Sequence, residues 1–163
     1  MKKILKFITD ILFSTVGIIG LAVMLTVTFG SVLSRFVLPV AWAFTEELTC
    51  GLFILVSLLG AALAVKEGDA LGISIITDNL PLKIRRYFKI ISGICTSFFG
   101  FLLLKYGIQM VQSEIRLEMK TAALQWPEAV FGSFIPIGGM ALILCSIVYI
   151  LNIIDEDFVN TNN

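Results

Sequence analysis

The ionisable residues best placed for chemistry in this 163-residue sequence are Arg35, Glu46, Glu47 and Lys105, each bordering or interrupting a long apolar stretch. Adjacent carboxylates on a helix point in different directions, so one of Glu46 and Glu47 can face inward. Both follow Thr45, a candidate N-cap, and negative charge suits the positive end of a helix. A cap therefore accounts for at least one of them. Lys105 has two readings: its stem can carry the ammonium to the membrane surface, or the ammonium can pair with Glu46 or Glu47 at similar depth. Charged groups inside a membrane usually mark function.

What is missing narrows the chemistry further. The sequence contains no histidine, which removes the commonest general base and the commonest metal ligand. Cys50, Cys95 and Cys145 lie in three different apolar runs without CxxC spacing and read as small packing residues. No run carries paired polar residues at helical spacing, and there is no phosphate loop, so a membrane enzyme is not expected. No cofactor or metal is expected on this chain. The net charge of zero gives no reason to expect a nucleic-acid partner.

These residues must be positioned by elements of unusual composition. The sequence is 58% hydrophobic and 15% charged, against roughly 25% charged residues in soluble domains. Residues 11–34, 48–65, 90–104 and 129–154 contain no charge. A bilayer core about 30 Å thick needs roughly 20 apolar residues of helix. The expected fold is an all-α integral membrane protein, one domain over residues 1–163, with four transmembrane helices over about 11–35, 46–65, 87–112 and 129–154. Lys2 and Lys3 ahead of the first run resemble a signal peptide. The run is too long for that role and lacks a small-residue cleavage site, so a retained first helix is expected.

Basic residues set the orientation. Lys2, Lys3 and Lys6 precede the first run, and Lys66, Lys83, Arg85, Arg86 and Lys89 surround the middle loop; the other side holds Arg35, Arg116 and Lys120. Both termini are therefore expected in the cytoplasm. Within the middle loop, Ile73, Ile76 and Leu80 share one helical face, which suggests a short amphipathic helix over about 71–80 lying in the cytoplasmic headgroup plane. Pro81 then suits the first turn of the third long helix. Lys83, Arg85, Arg86 and Lys89 serve either as a positive-inside collar or as a lipid-headgroup site.

Close helix packing in lipid relies on small residues. Gly60 with Ala64, Gly93 with Ser97, and Gly30 with Ser34 fall at i, i+4, and Gly132, Pro136, Gly138 and Gly139 cluster in the last run. Pro136 is expected to bend that helix. The outer loops carry Trp42 and Trp126, which read as interfacial anchors. They also carry Glu114, Arg116, Glu118 and Lys120, whose mixed charges suit a docking rim for a soluble partner.

The same residues resemble a family. Val32-Leu33-Ser34-Arg35-Phe36, then Glu46-Glu47-Leu48, Leu59-Gly60-Ala61-Ala62 and Gly68 are similar to the small membrane subunit of tripartite ATP-independent periplasmic (TRAP) transporters. Leu80-Pro81 with Arg85-Arg86, Ala122-Ala123-Leu124 with Pro127, and Ile135-Pro136 with Gly138 continue the pattern in order. Phe44 and Ala70 depart from it, standing where the family often has Trp and His.

The resemblance implies a non-catalytic subunit of a sodium-coupled secondary transporter for organic acids of the dicarboxylate or sialic acid type. Its location would be the bacterial cytoplasmic (inner) membrane. Implied partners are a large elevator-type permease that holds solute and sodium, a periplasmic substrate-binding protein, and membrane lipids. Arg35, Glu46, Glu47, Lys105 and Pro136 are then candidate contacts with the permease. Trp42, Glu114, Arg116, Glu118 and Lys120 are candidate contacts with the binding protein. The alternative is a self-sufficient four-helix exporter acting as a homodimer, which would need a titratable group in the membrane; the first run has none.

Overall fold

A computed structural model describes residues 11–37, 43–68 and 82–160. They form helices α1 (Phe13–Val37), α2 (Ala43–Glu67), α3 (Leu82–Arg116), α4 (Ala129–Gly132) and α5 (Phe134–Asn160). Apart from an isolated bridge between Lys120 and Pro127, no extended pairing occurs among the described residues. Helices α1, α2 and α3 each contain a membrane-length apolar window, and Ala129–Ile153, running from α4 into α5, supplies the fourth. The protein is a multi-pass membrane protein. The segment 71–80, expected as an interfacial helix, lies outside the described residues, as do Trp42 and Pro81.

Helix α2 stops where the backbone turns left-handed: Gly68 has φ +76° and donates its N–H to Val65 O. Glycine at the first position past a helix is the ordinary solution, because it lacks the Cβ that makes positive φ costly. Helix α3 has 35 residues and spans about 50 Å at 1.5 Å per residue. That exceeds the hydrocarbon thickness, as its basic first turns and polar last turns require.

The last apolar run is not a single bent helix. It breaks between Gly132 and Phe134, and Pro136 falls in the first turn of α5. The reason is local: proline has no N–H to give the carbonyl four residues back, here Gly132, and its ring is tolerated at a helix start. Ser133 donates to Ala129 O at 3.0 Å and closes α4, and Ile137 donates to Ser133 O at 3.3 Å and opens α5.

Helix α5 is the centre of the bundle. Its most extensive contacts are with α3, then with α2, while α1 leans on α2 alone to any comparable extent. Burial follows: 39% of the α5 window is buried against 6% of the α1 window. The core is small, comprising Leu59, Ala62, Ala141, Leu142 and Cys145, with Phe13, Leu55, Leu58 and Leu103 packed around it.

Helix α3 meets α5 along three glycines spaced seven apart, Gly93, Gly100 and Gly107, all buried. A Cβ on Gly100 would lie 3.0 Å from Gly139 O, and a Cβ on Gly139 would lie 2.9 Å from Gly100 O. At the other two steps the close neighbours are Ile150 and Pro136. Seven-residue spacing keeps a contact stripe on one face when helices cross at a shallow angle. In lipid, where burial of apolar surface gives no drive, such backbone approach supplies the packing contact. Gly93 packs at this seam, and Pro136 packs against Gly107 within the chain. Gly60 and Gly30 do not: a Cβ at either would meet nothing within 4 Å.

Candidate functional site

The polar residues gather at the end of the bundle where α2 begins and α3 ends. The loop joining α3 to α4, residues 117–128, is closely structured. Thr121 donates to Trp126 O at 2.9 Å, Glu128 to Met119 O at 3.0 Å, and Gln125 to Thr121 O at 3.1 Å. The Trp126 N–H donates to Thr121 Oγ1 at 3.2 Å. Glu118 and Gln125 take left-handed backbone conformations at φ 48° and 55° to make the turns.

Glu47 fastens this loop to α2. Its two carboxylate oxygens accept the N–H groups of Ala123 at 2.7 Å and Leu124 at 3.0 Å. A carboxylate bridging two consecutive amides makes charge-assisted bonds, stronger than neutral ones. Glu47 is therefore neither a cap nor half of an ion pair with Lys105. Thr45 is not an N-cap either: it lies inside α2, is buried, and donates its hydroxyl to Ser31 Oγ of α1 at 3.0 Å. Hydrogen bonds of this kind between membrane helices contribute about 0.6 kcal/mol each, enough to bias the α1–α2 contact without fixing it.

Lys105 lays its ammonium 5.8 Å from the centroid of the Tyr106 ring and makes no ion pair among the described residues. Its side chain is exposed on α3. Of the two readings, the bond to Glu46 or Glu47 is not formed among the described residues: Glu47 is committed to the loop and Lys105 is exposed.

Glu114 departs furthest from expectation. Read as part of an exposed rim, it is in fact 5% exposed, in the last turns of α3 beneath α4. A Cβ on Gly132 would overlap its carboxylate, so only glycine lets α4 lie this close. Beside it the Phe131 ring covers Gly51 of α2 in the same manner, and Phe131 meets Phe134 edge-on at 6.2 Å. Oε2 of Glu114 is buried and has no hydrogen-bond donor among the described residues.

These elements enclose a cleft of about 570 Å³ lined by Glu46, Glu47, Glu114, Lys120 and Glu128, with Met110, Phe131 and Ile135 among its apolar walls. Four carboxylates face one lysine there, so the cleft is acidic. Among the described residues no three potential metal ligands converge as a bound ion would require.

The remaining candidates spread out. Arg116, Glu118 and Lys120 are exposed on the loop and at the end of α3. Pro136 packs against Gly107 inside the chain. Lys89 is half-buried near the far end of α3, and Arg35, Lys83, Arg85 and Arg86 lie on helices but their side chains are outside the described residues. Sequence reasoning missed Gly51, Gly100 and Gly107 as close-approach positions, whereas Gly132 stood in the glycine cluster it named. The seven-residue spacing of Gly93, Gly100 and Gly107 was the available signal for the seam.

Comparison with known proteins places these features in context. Residues 24–156 match the family described as tripartite ATP-independent periplasmic transporters, DctQ component. The chain is also 29% identical over 120 residues to the ectoine TRAP transporter small permease protein TeaB of Halomonas elongata. That alignment covers 74% of this chain and 62% of the relative.

Proposed function

The chain belongs to the DctQ-component family and is a small subunit of a TRAP transporter, and we propose that it works as the non-catalytic scaffold beside a large elevator-type permease. The cargo in this reading is a small organic acid of the dicarboxylate or sialic acid type. Solute and coupling sodium are held on the partner permease, and a periplasmic binding protein delivers the solute. The assembly sits in the bacterial cytoplasmic membrane with both termini inside, so the loop end of the bundle faces the periplasm. Arg116 at the end of α3, with Glu118 and Lys120 on that loop, helps to dock the binding protein.

The observation that carries the reading is the distribution of polarity. Residues 11–34, 48–65, 90–104 and 129–154 contain no Asp, Glu, Lys, Arg or His, while the acidic cleft lies at one end of the bundle. A carrier that moves ions or acids through its own interior needs polar groups at depth. Large apolar side chains are exposed instead, among them Phe29, Phe53, Phe98 and Phe101, and these supply surface for lipid and for a larger membrane partner.

Co-expression provides the test. The chain is expected to co-purify with its permease, and liposomes are expected to take up solute only when the permease, this chain and the binding protein are all present. Uptake by this chain alone would overturn the proposal.

A further inference from the structure

We propose that the acidic cleft is a socket for one arginine or lysine side chain of the membrane-embedded permease, seated beside the buried carboxyl group of Glu114. This deepens the subunit reading and rests on it.

The central observation is Glu114 itself. At 5% exposure a carboxylate is expected to find donors or a counter-charge, because an unsatisfied buried polar group is costly and a buried charge costlier. Oε2 has neither among the described residues. Lys120 lines the same cleft but leaves Oε2 without a partner. Glu128 adds a further carboxylate to the walls, and Glu46 and Glu47 line them on the α2 side. The complement of such a cleft is a cation.

Its chemical class follows from the walls. A metal ion would need converging ligands, which the described residues do not offer. A guanidinium or ammonium on a long aliphatic stem fits better, with its head at Glu114 and its stem along Met110, Phe131 and Ile135. The cleft volume of about 570 Å³ admits such a side chain together with backbone of the loop that carries it.

The occupant must also stay. A buried carboxylate stripped of its counter-charge must take up a proton or stand uncompensated, so a partner that leaves every transport cycle would force that change each time. A permanently associated membrane subunit would not. Exposed Met110, Ile115 and Val130 around the site supply an apolar surround for a lasting contact.

The test uses the full chain in lipid nanodiscs, alone and as the two-chain complex with its permease, treated with dicyclohexylcarbodiimide and read by mass spectrometry at Glu114. Labelling in the chain alone and strong protection in the two-chain complex are expected. Glu114→Gln, whose own folding is checked by the melting of the isolated chain, is expected to shorten the life of the complex about tenfold or more. Equal labelling in both samples would overturn the socket while leaving the subunit reading intact, because the complex has formed. Protection in the chain alone would show that the carboxylate is satisfied internally, or by a headgroup if it depends on phosphatidylethanolamine, and would overturn it too. Protection only after adding the binding protein would assign the cleft to a different partner and likewise refute the proposal. Failure of wild-type chain and permease to associate at all would remove both readings.

Discussion

Glu47 Oε1 accepts the N–H of Ala123 at 2.7 Å, joining the first turns of α2 to a loop that begins only after α3. The bond, with its companion to Leu124, ties the tip of a twelve-residue connection to α2, since the turn at 122–124 would otherwise present bare amides. It also links two short motifs that lie far apart in sequence, Glu46-Glu47-Leu48 and Ala122-Ala123-Leu124, as parts of a single clasp.

Glu47→Ala should therefore free the loop without unfolding the helices. Hydrogen exchange at Ala123 and Leu124 should quicken roughly tenfold, while amides in α3 and α5 keep their protection. Unchanged exchange at those two residues would contradict the clasp.

The α3–α5 seam makes a sharper demand. Gly100→Ala places a methyl 3.0 Å from Gly139 O, and overpacking of this kind costs about 1–3 kcal/mol. Gly139→Ala should do the same, and the double variant should lose less than the sum, because the first substitution has already spread the helices. Gly60→Ala, which meets nothing within 4 Å, should stay within about 0.5 kcal/mol of the parent. Melting in detergent checks the set; equal losses at Gly60 and Gly100 would refute the seam.

Gly132 tests the packing of α4. Gly132→Ala drives a methyl into the Glu114 carboxylate and should lower the melting temperature. Adding Glu114→Ala should recover most of that loss, because it removes the obstructing group. A double variant no more stable than Gly132→Ala alone would place the strain elsewhere.

Lys105→Met should leave the isolated chain as stable as the parent, within about 0.5 kcal/mol, since among the described residues the ammonium makes no ion pair and lies 5.8 Å from the Tyr106 ring centroid. Any effect belongs to association with the permease, measured by co-purification. A large loss in the chain alone would show a contact within the fold.

Topology is open to direct labelling. In a variant whose three cysteines are replaced, Glu118→Cys should react with a membrane-impermeant maleimide added outside intact cells. Reaction only after lysis would reverse the orientation.

Much of the architecture was legible in the sequence because lipid leaves a chain few options. Long charge-free runs must be helices. The break at Gly132 was harder to read: Pro136 signalled a disturbance, but whether a proline bends a helix or starts a new one depends on what supports the freed carbonyl. Glu47 was singled out for its charge and its place near a helix start. Its true partners are backbone amides, which carry no side-chain signature. Glu114 looked like a rim residue because its neighbours Arg116 and Glu118 are, and only the descent of α4 across the end of α3 buries it. Gly60 and Gly100 are equivalent letters in equivalent runs; which one meets a neighbour is decided by the register of two helices against each other.

The place of α5 bears on how the protein is made. Helices α1 and α2 can join as soon as both have left the ribosome, but α2 and α3 share little contact and are bridged by a helix synthesised after them. Until α5 arrives, the glycine stripe of α3 and the Leu59–Ala62 face of α2 wait without their mate. The nascent protein thus stands in the bilayer as two unfinished halves, and α5, translated after both, closes them.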